Sequence, residues 1–122
     1  MVCLLASDNL KIRQKHEDFM VYAYGALRHM PKSERFTLAA DIKSSMLRML
    51  EVMIRANKAR NRLPLLYDLD VELEVLRSKI RLAMNLGFLP FKKYEIMAAS
   101  LVEIGKMLGG WIKQSGVTRS TG

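Results

Sequence analysis

Apolar residues recur at steps of three and four through almost all of this 122-residue chain, and the pattern breaks at only three places: near Pro31, at Asn61 to Pro64, and at Gly87 to Pro90. A period near 3.6 belongs to a helix with one apolar face, whereas a half-buried strand needs strict alternation, which is sustained nowhere. The spacing predicts four helices. The first covers roughly Asn9 to His29 and carries Ile12, Phe19, Tyr22, Ala23, Ala26 and Leu27; Pro31 ends it, because proline disfavours helical geometry in the residue before it. Ser33 then offers an N-cap hydroxyl, with Glu34 suiting the dipole of a first turn. The second helix runs to about Arg60 on a stripe of Phe36, Ala39, Ile42, Met46, Met49, Leu50, Met53 and Ile54, stopped by Asn61 and Pro64. The third, from about Leu65 to Leu86, buries Leu66, Leu69, Leu73, Leu76, Ile80 and Ala83 and is capped by Gly87. The fourth begins at Pro90 or Phe91 and continues to about Gln114. Short connections make sequential helices antiparallel neighbours. The expected fold is all-α, an up-down-up-down four-helix bundle over residues 9–114, with a mobile N-terminal segment at 1–8 and a disordered tail at 115–122.

The length fits one domain with a real core. Cys3 is the single cysteine, so neither an internal disulfide nor a cysteine-rich metal site is expected, which fits a reducing, cytoplasmic compartment. The apolar run Val2 to Ala6 is too short for a secretory signal and has no basic residue before it, and no apolar run reaches membrane-spanning length.

Catalytic and metal chemistry is nearly absent from the pattern. His16 and His29 are thirteen residues apart, have no metal-pair spacing, and read as solvated surface histidines. Asp68, Asp70, Glu72 and Glu74 alternate near the start of the third helix, where only the pairs four apart are neighbours. They read as carboxylates complementing the helix dipole rather than as a cation site. No phosphate-cradling glycine loop, no inward Glu-x-x-His motif and no nucleophile with its base is present. No cofactor, no metal and no enzymatic activity are expected. The nine methionines fall mostly on the core faces, as adaptable filler.

The formal net charge of +8 suggests an acidic partner such as nucleic acid. It is concentrated between Phe36 and Pro64, where six Lys and Arg meet two Asp and Glu. Arg48, Arg55, Lys58, Arg60 and Arg62 are spaced to project from one side of the second helix and the turn after it, where they can neutralise successive phosphates. Cations near a helix C-terminus are also favourable with no partner at all. Arg77 and Arg81, one turn apart beside the third apolar stripe, form a second candidate site. Glu51 lies within the apolar run MLEVMI, so an internal pair with Arg77 or Arg81 is the alternative for these two arginines.

Three glycines, Gly105, Gly109 and Gly110, sit within the fourth helix beside Leu101, Ile104, Leu108, Trp111 and Ile112. Each costs about 1 kcal/mol relative to alanine in a helix interior, so close approach of another surface is implied. Two readings stay open: Gly105, Gly109 and Trp111 serve tight packing within the bundle, or they form a seam between subunits.

The segments PKSERFTLAADI (Pro31 to Ile42), MLEVMIRANKARNRLPLL (Met49 to Leu66), LDVELEVLRSKIRLA (Leu69 to Ala83) and KKYEIMAASLVEIGKMLGGWIK (Lys92 to Lys113) together resemble the accessory variability determinant proteins of diversity-generating retroelements. The glycine and tryptophan box is the most specific element. A bundle family encoded in intervening sequences of bacterial large ribosomal RNA genes is similar in architecture. The resemblance implies a protomer that assembles into a ring-like homo-oligomer, a homopentamer, with a basic surface and no active site. It implies binding to a reverse transcriptase and to its RNA template, and extends to DNA or an RNA/DNA hybrid. The matching basic positions are Arg77 and Arg81, while Arg55, Lys58, Arg60 and Arg62 fall in a region where members of that family vary. The contrasting expectation is a structural protein-interaction bundle, or a ribosomal intervening-sequence protein, without a polymerase partner.

Overall fold

The structure is a computed structural model; it describes the backbone of residues 2–121 and the side chains of residues 10–116. Four helices follow one another: α1 (Val2–Leu27), α2 (Leu38–Lys58), α3 (Leu63–Asn85) and α4 (Phe91–Thr121). The described residues contain no strand. Each helix packs against its neighbours in sequence, α4 closes back on α1, and α1 and α3 occupy opposite corners. With connections this short the arrangement is the expected up-down-up-down bundle. The mobile segment expected at 1–8, and all but Ser115 and Gly116 of the tail expected at 115–122, lie outside the residues whose side chains are described.

One contiguous core joins the four stripes. Ile12, Phe19, Ala23 and Leu27 from α1, Met46, Met49 and Met53 from α2, Leu66, Leu69, Leu73, Leu76 and Ile80 from α3, and Met97, Leu101, Ile104 and Leu108 from α4 are all buried. Full burial of each large side chain contributes roughly 1.5–3 kcal/mol, so this convergence dominates stability. The three α2 methionines lie at steps of three and four and are essentially inaccessible, as core filler should be.

The turns differ in detail from the sequence reading. Ser33 is not an N-cap: residues Lys32–Glu34 form a single 3-10 turn after Pro31, and α2 starts five residues after Ser33, at Leu38. Thr37 precedes α2 without capping it, because its hydroxyl donates to Glu34 Oε1 at 2.8 Å instead. Phe36 therefore falls before the helix and is 85 % exposed, not part of the core stripe. Pro64 lies in the first turn of α3, where a missing N–H costs nothing, so it starts that helix as well as ending the one before. Gly87 behaves as expected: its φ of +81° is left-handed. Gly87 N–H donates to Met84 C=O and Phe88 N–H to Ala83 C=O, both at 2.9 Å, the paired bonds of a Schellman cap.

His16 corrects a second expectation. It is wholly buried, four residues after Ile12 and three before Phe19 on the α1 core stripe, and its ring stacks on Phe19. Nε2 lies 2.8 Å from the Met46 carbonyl of α2. A carbonyl can only accept, so Nε2 carries the proton and donates, while buried Nδ1 has no partner among the described residues. Burial pushes the imidazole below its ordinary value, outweighing the opposite pull of the Met46 carbonyl and the Glu17 carboxylate. The unfolded chain takes up this proton near pH 6.5, and the folded chain only at lower pH. Stability is thus complete above the unfolded value and falls as pH drops through about 6.5, by up to about 1.4 kcal/mol per pH unit, until the folded group also protonates. Urea unfolding between pH 8 and pH 5 should show this slope, and His16→Gln should remove it while lowering stability at pH 8. Gly87→Ala should cost about 1–2 kcal/mol in the same assay, because its side chain would enter the left-handed region.

Candidate nucleic-acid interface

The basic residues singled out in the sequence do not form one stripe. Arg48 reaches across from α2 to α3, where its guanidinium donates to Glu72 Oε1 at 3.1 Å; Glu72 is only 15 % exposed. Arg48 thus braces two helices. Arg55 pairs within α2 with Glu51 at 2.9 Å, and both are well exposed. Glu51 is consequently a surface residue, and the alternative of an internal pair with Arg77 or Arg81 is not formed. An exposed pair of this kind contributes about 0.3–0.5 kcal/mol and leaves Arg55 available to compete for an anion.

Lys58 is the last residue of α2, and Arg60 and Arg62 follow it into α3, with Arg62 in the N-cap position of that helix. None of the three has a carboxylate within ion-pair distance among the described residues. Arg60 and Arg62 precede the N-terminal end of α3, whose first turn contains no acidic residue. Unmatched cations beside helix N–H groups attract an anion from both sources.

Arg77 and Arg81 occupy the groove between α3 and α4. Together with Tyr94, Ala98 and Val102 they line an open cleft of about 80 Å³ whose floor is Ile80 and Leu101. Arg77 touches Glu74 at 3.9 Å, and Arg81 has no ion-pair partner among the described residues. Tyr94 was not evident from sequence; its only signal is its place one turn into α4, level with the last turns of an antiparallel α3. Arg62 and Arg81 are nineteen residues apart, about 28 Å along α3, so the two unmatched cationic regions stand near opposite ends of the bundle.

The four carboxylates lie between them. Because α3 starts at Leu63, Asp68 is already in the second turn and Glu74 beyond it. The dipole effect fades within the first turn, so that explanation fails for this cluster. Glu72 and Glu74 instead meet Arg48 and Arg77. Lys79 adds a further tie between helices, donating from Nζ to buried Ser45 Oγ at 2.9 Å, and Lys43 stands 5.1 Å above the Tyr24 ring. Among the described residues no cluster of His, Cys, Asp and Glu has metal-binding geometry, and no helix is long and apolar enough to cross a membrane.

The glycine box is resolved on one side. A Cβ at Gly105 would stand 3.5 Å from Leu73 Cδ2, ordinary contact, and one at Gly109 or Gly110 would meet nothing within 4 Å among the described residues. Packing inside the protomer does not require glycine at any of these positions. Trp111 is a core residue, 5 % exposed, whose indole N–H has no acceptor among the described residues.

The sequence model of the bAvd-like family matches residues 10–115. The chain belongs to the bAvd-like family. The matched region takes in α2 and α3 whole, most of α1 and α4, and every candidate site residue. No curated protein matches the chain. The bAvd-like family is an accessory, non-catalytic one that acts through protein contacts in a retroelement setting, and this bAvd-like protomer is a four-helix bundle. Because Gly109 has open space around it, Gly109→Ala should leave the fold unchanged and raise the thermal stability of the isolated protomer by about 0.5–1 kcal/mol, read by calorimetry at low protein concentration.

Proposed function

We propose that the chain is an accessory protein of a diversity-generating retroelement that binds the reverse transcriptase and its template RNA or complementary DNA, and so supports mutagenic reverse transcription without catalysing a step itself. The observation that carries this reading is the family match over residues 10–115. In this reading Lys58, Arg60 and Arg62 at one end, and Arg77 and Arg81 in the α3–α4 groove, contact phosphates; Arg55 exchanges Glu51 for a phosphate when nucleic acid arrives. Arg48 serves the bundle, since its guanidinium is held by Glu72. The protomers assemble into a homopentameric ring with Gly105 and Gly109 at the seam, backed by Trp111 from within the core. The lack of any internal reason for glycine at 109 and 110 supports this part. The protein works in the cytoplasm beside its polymerase.

Co-expression with a reverse transcriptase encoded beside the gene tests the reading directly, and it predicts co-purification of the two proteins with bound RNA. A failure to retain the polymerase, with RNA binding also absent at low salt, would favour a bundle that contacts only other proteins. Each phosphate contact on single-stranded nucleic acid contributes about 0.7 to the slope of log K against log salt. The triple variant Lys58→Ala, Arg60→Ala, Arg62→Ala should therefore lower that slope by about 2 in filter binding, with its helical circular dichroism unchanged. Arg81→Ala should lower it by about 0.7.

A further inference from the structure

Helix α3 has a second apolar stripe, opposite the one it buries. Tyr67, Val71, Val75, Leu82 and Leu86 are 37–63 % exposed and recur at steps of four and seven, with exposed Ser78 filling the position between Val75 and Leu82. At about 100° per residue they lie within one quadrant facing away from Leu69, Leu73, Leu76 and Ile80, and they run about 28 Å along the helix. Neither α2 nor α4 covers this quadrant. Valine at two exposed helical positions has no helix-forming advantage, so propensity does not explain the stripe.

The stripe is symmetric about a point between Leu76 and Arg77. Tyr67 and Leu86, Val71 and Leu82, and Val75 and Ser78 are equidistant from it. The charges on either side of the same point are opposite in sign: Asp68, Asp70, Glu72 and Glu74 precede it, while Arg77, Lys79 and Arg81 follow it. We infer that the outer face of α3 pairs antiparallel with the same face of a second copy of this chain, about a two-fold axis at that point. In this arrangement Tyr67, Val71 and Val75 stand level with Leu86, Leu82 and Ser78 of the second copy. Side by side in this way, both copies keep the same flank on the same side of the axis. Along one flank Asp70 and Glu74 meet Arg81 and Arg77 of the second copy, so this pairing and phosphate binding at the same two arginines exclude one another; on the other flank Glu72 and Lys79 keep their bonds to Arg48 and Ser45 within the protomer. A parallel pairing would set carboxylate against carboxylate and cation against cation, which opposes it. The contact is isologous and closes on two copies, unlike the head-to-tail seam of a five-membered ring, so it does not rest on the ring reading. One helix face is narrower than the roughly 800 Å² per partner of a standard stable interface, so the pairing depends on concentration.

Cross-linking in a Cys3→Ser background tests the register. A mixture of Val71→Cys and Leu82→Cys chains should form a disulfide heterodimer on mild oxidation. Each variant alone should cross-link at least fivefold less, because two copies of residue 71 stand eleven residues, about 16 Å, apart along the paired helices. In sedimentation velocity Val71→Asp should weaken self-association at least tenfold, with circular dichroism unchanged because the position is exposed. Disrupting a ring by substitutions elsewhere should leave the heterodimer cross-link intact, which separates failure of the ring reading from failure of this one. The inference is overturned if the mixture yields no heterodimer, if the single variants cross-link equally well, or if Val71→Asp associates like the parent. A parent chain that stays monomeric at every concentration, its face covered only by another protein, overturns it too.

Discussion

Four amphipathic helices bury their stripes in one apolar core, and the rest of the molecule is arranged around it. Only two polar residues are buried among the described residues, His16 and Ser45, and each makes a bond that ties one helix to the next. His16 is held neutral by burial and supplies one donor to the Met46 carbonyl; Ser45 accepts from a lysine whose ammonium stays near the surface. The rest of the core is methionine, leucine, isoleucine and other apolar side chains from all four helices. The charged side chains among the described residues lie on the outside of that core.

Much of the fold was legible because the helical period is strong and the breaks are chemically distinct. Gly87 adopted the left-handed cap that its position implied, and the third helix buries the six residues its spacing named. Two of the errors share one cause, which is that local composition was weighed above register. His16 looked like a surface residue by type, yet it fills the position between Ile12 and Phe19 that the period demands. Glu51 looked buried by its apolar neighbours, yet successive residues on a helix face different ways, and it points to solvent beside Arg55. The Ser33 cap failed because Pro31 started a 3-10 turn first, which delayed α2.

The candidate interface was less legible than the fold. A charge count finds the basic region but not its partners, and pairing across helices depends on which faces meet. Arg48 belongs to Glu72, twenty-four residues away, while Arg81 meets no carboxylate among the described residues. Tyr94 in the α3–α4 groove needed the antiparallel alignment of two helices before it could be placed. The glycines of α4 were conspicuous from the start, but only the space around them shows that the protomer itself has no use for their lost side chains.

The order of charge along α3 has a mechanical consequence. The cations of the α2–α3 turn and the arginines of the groove are separated by Asp68, Asp70, Glu72 and Glu74. A duplex, whose persistence length is about 50 nm, cannot bend out and back over so short a span, and lying along α3 it would be pressed against those carboxylates. A single strand can arch over them and touch down at both ends. In the proposed reading, then, the bundle would accept a flexible strand and refuse a stiff duplex before any base is read.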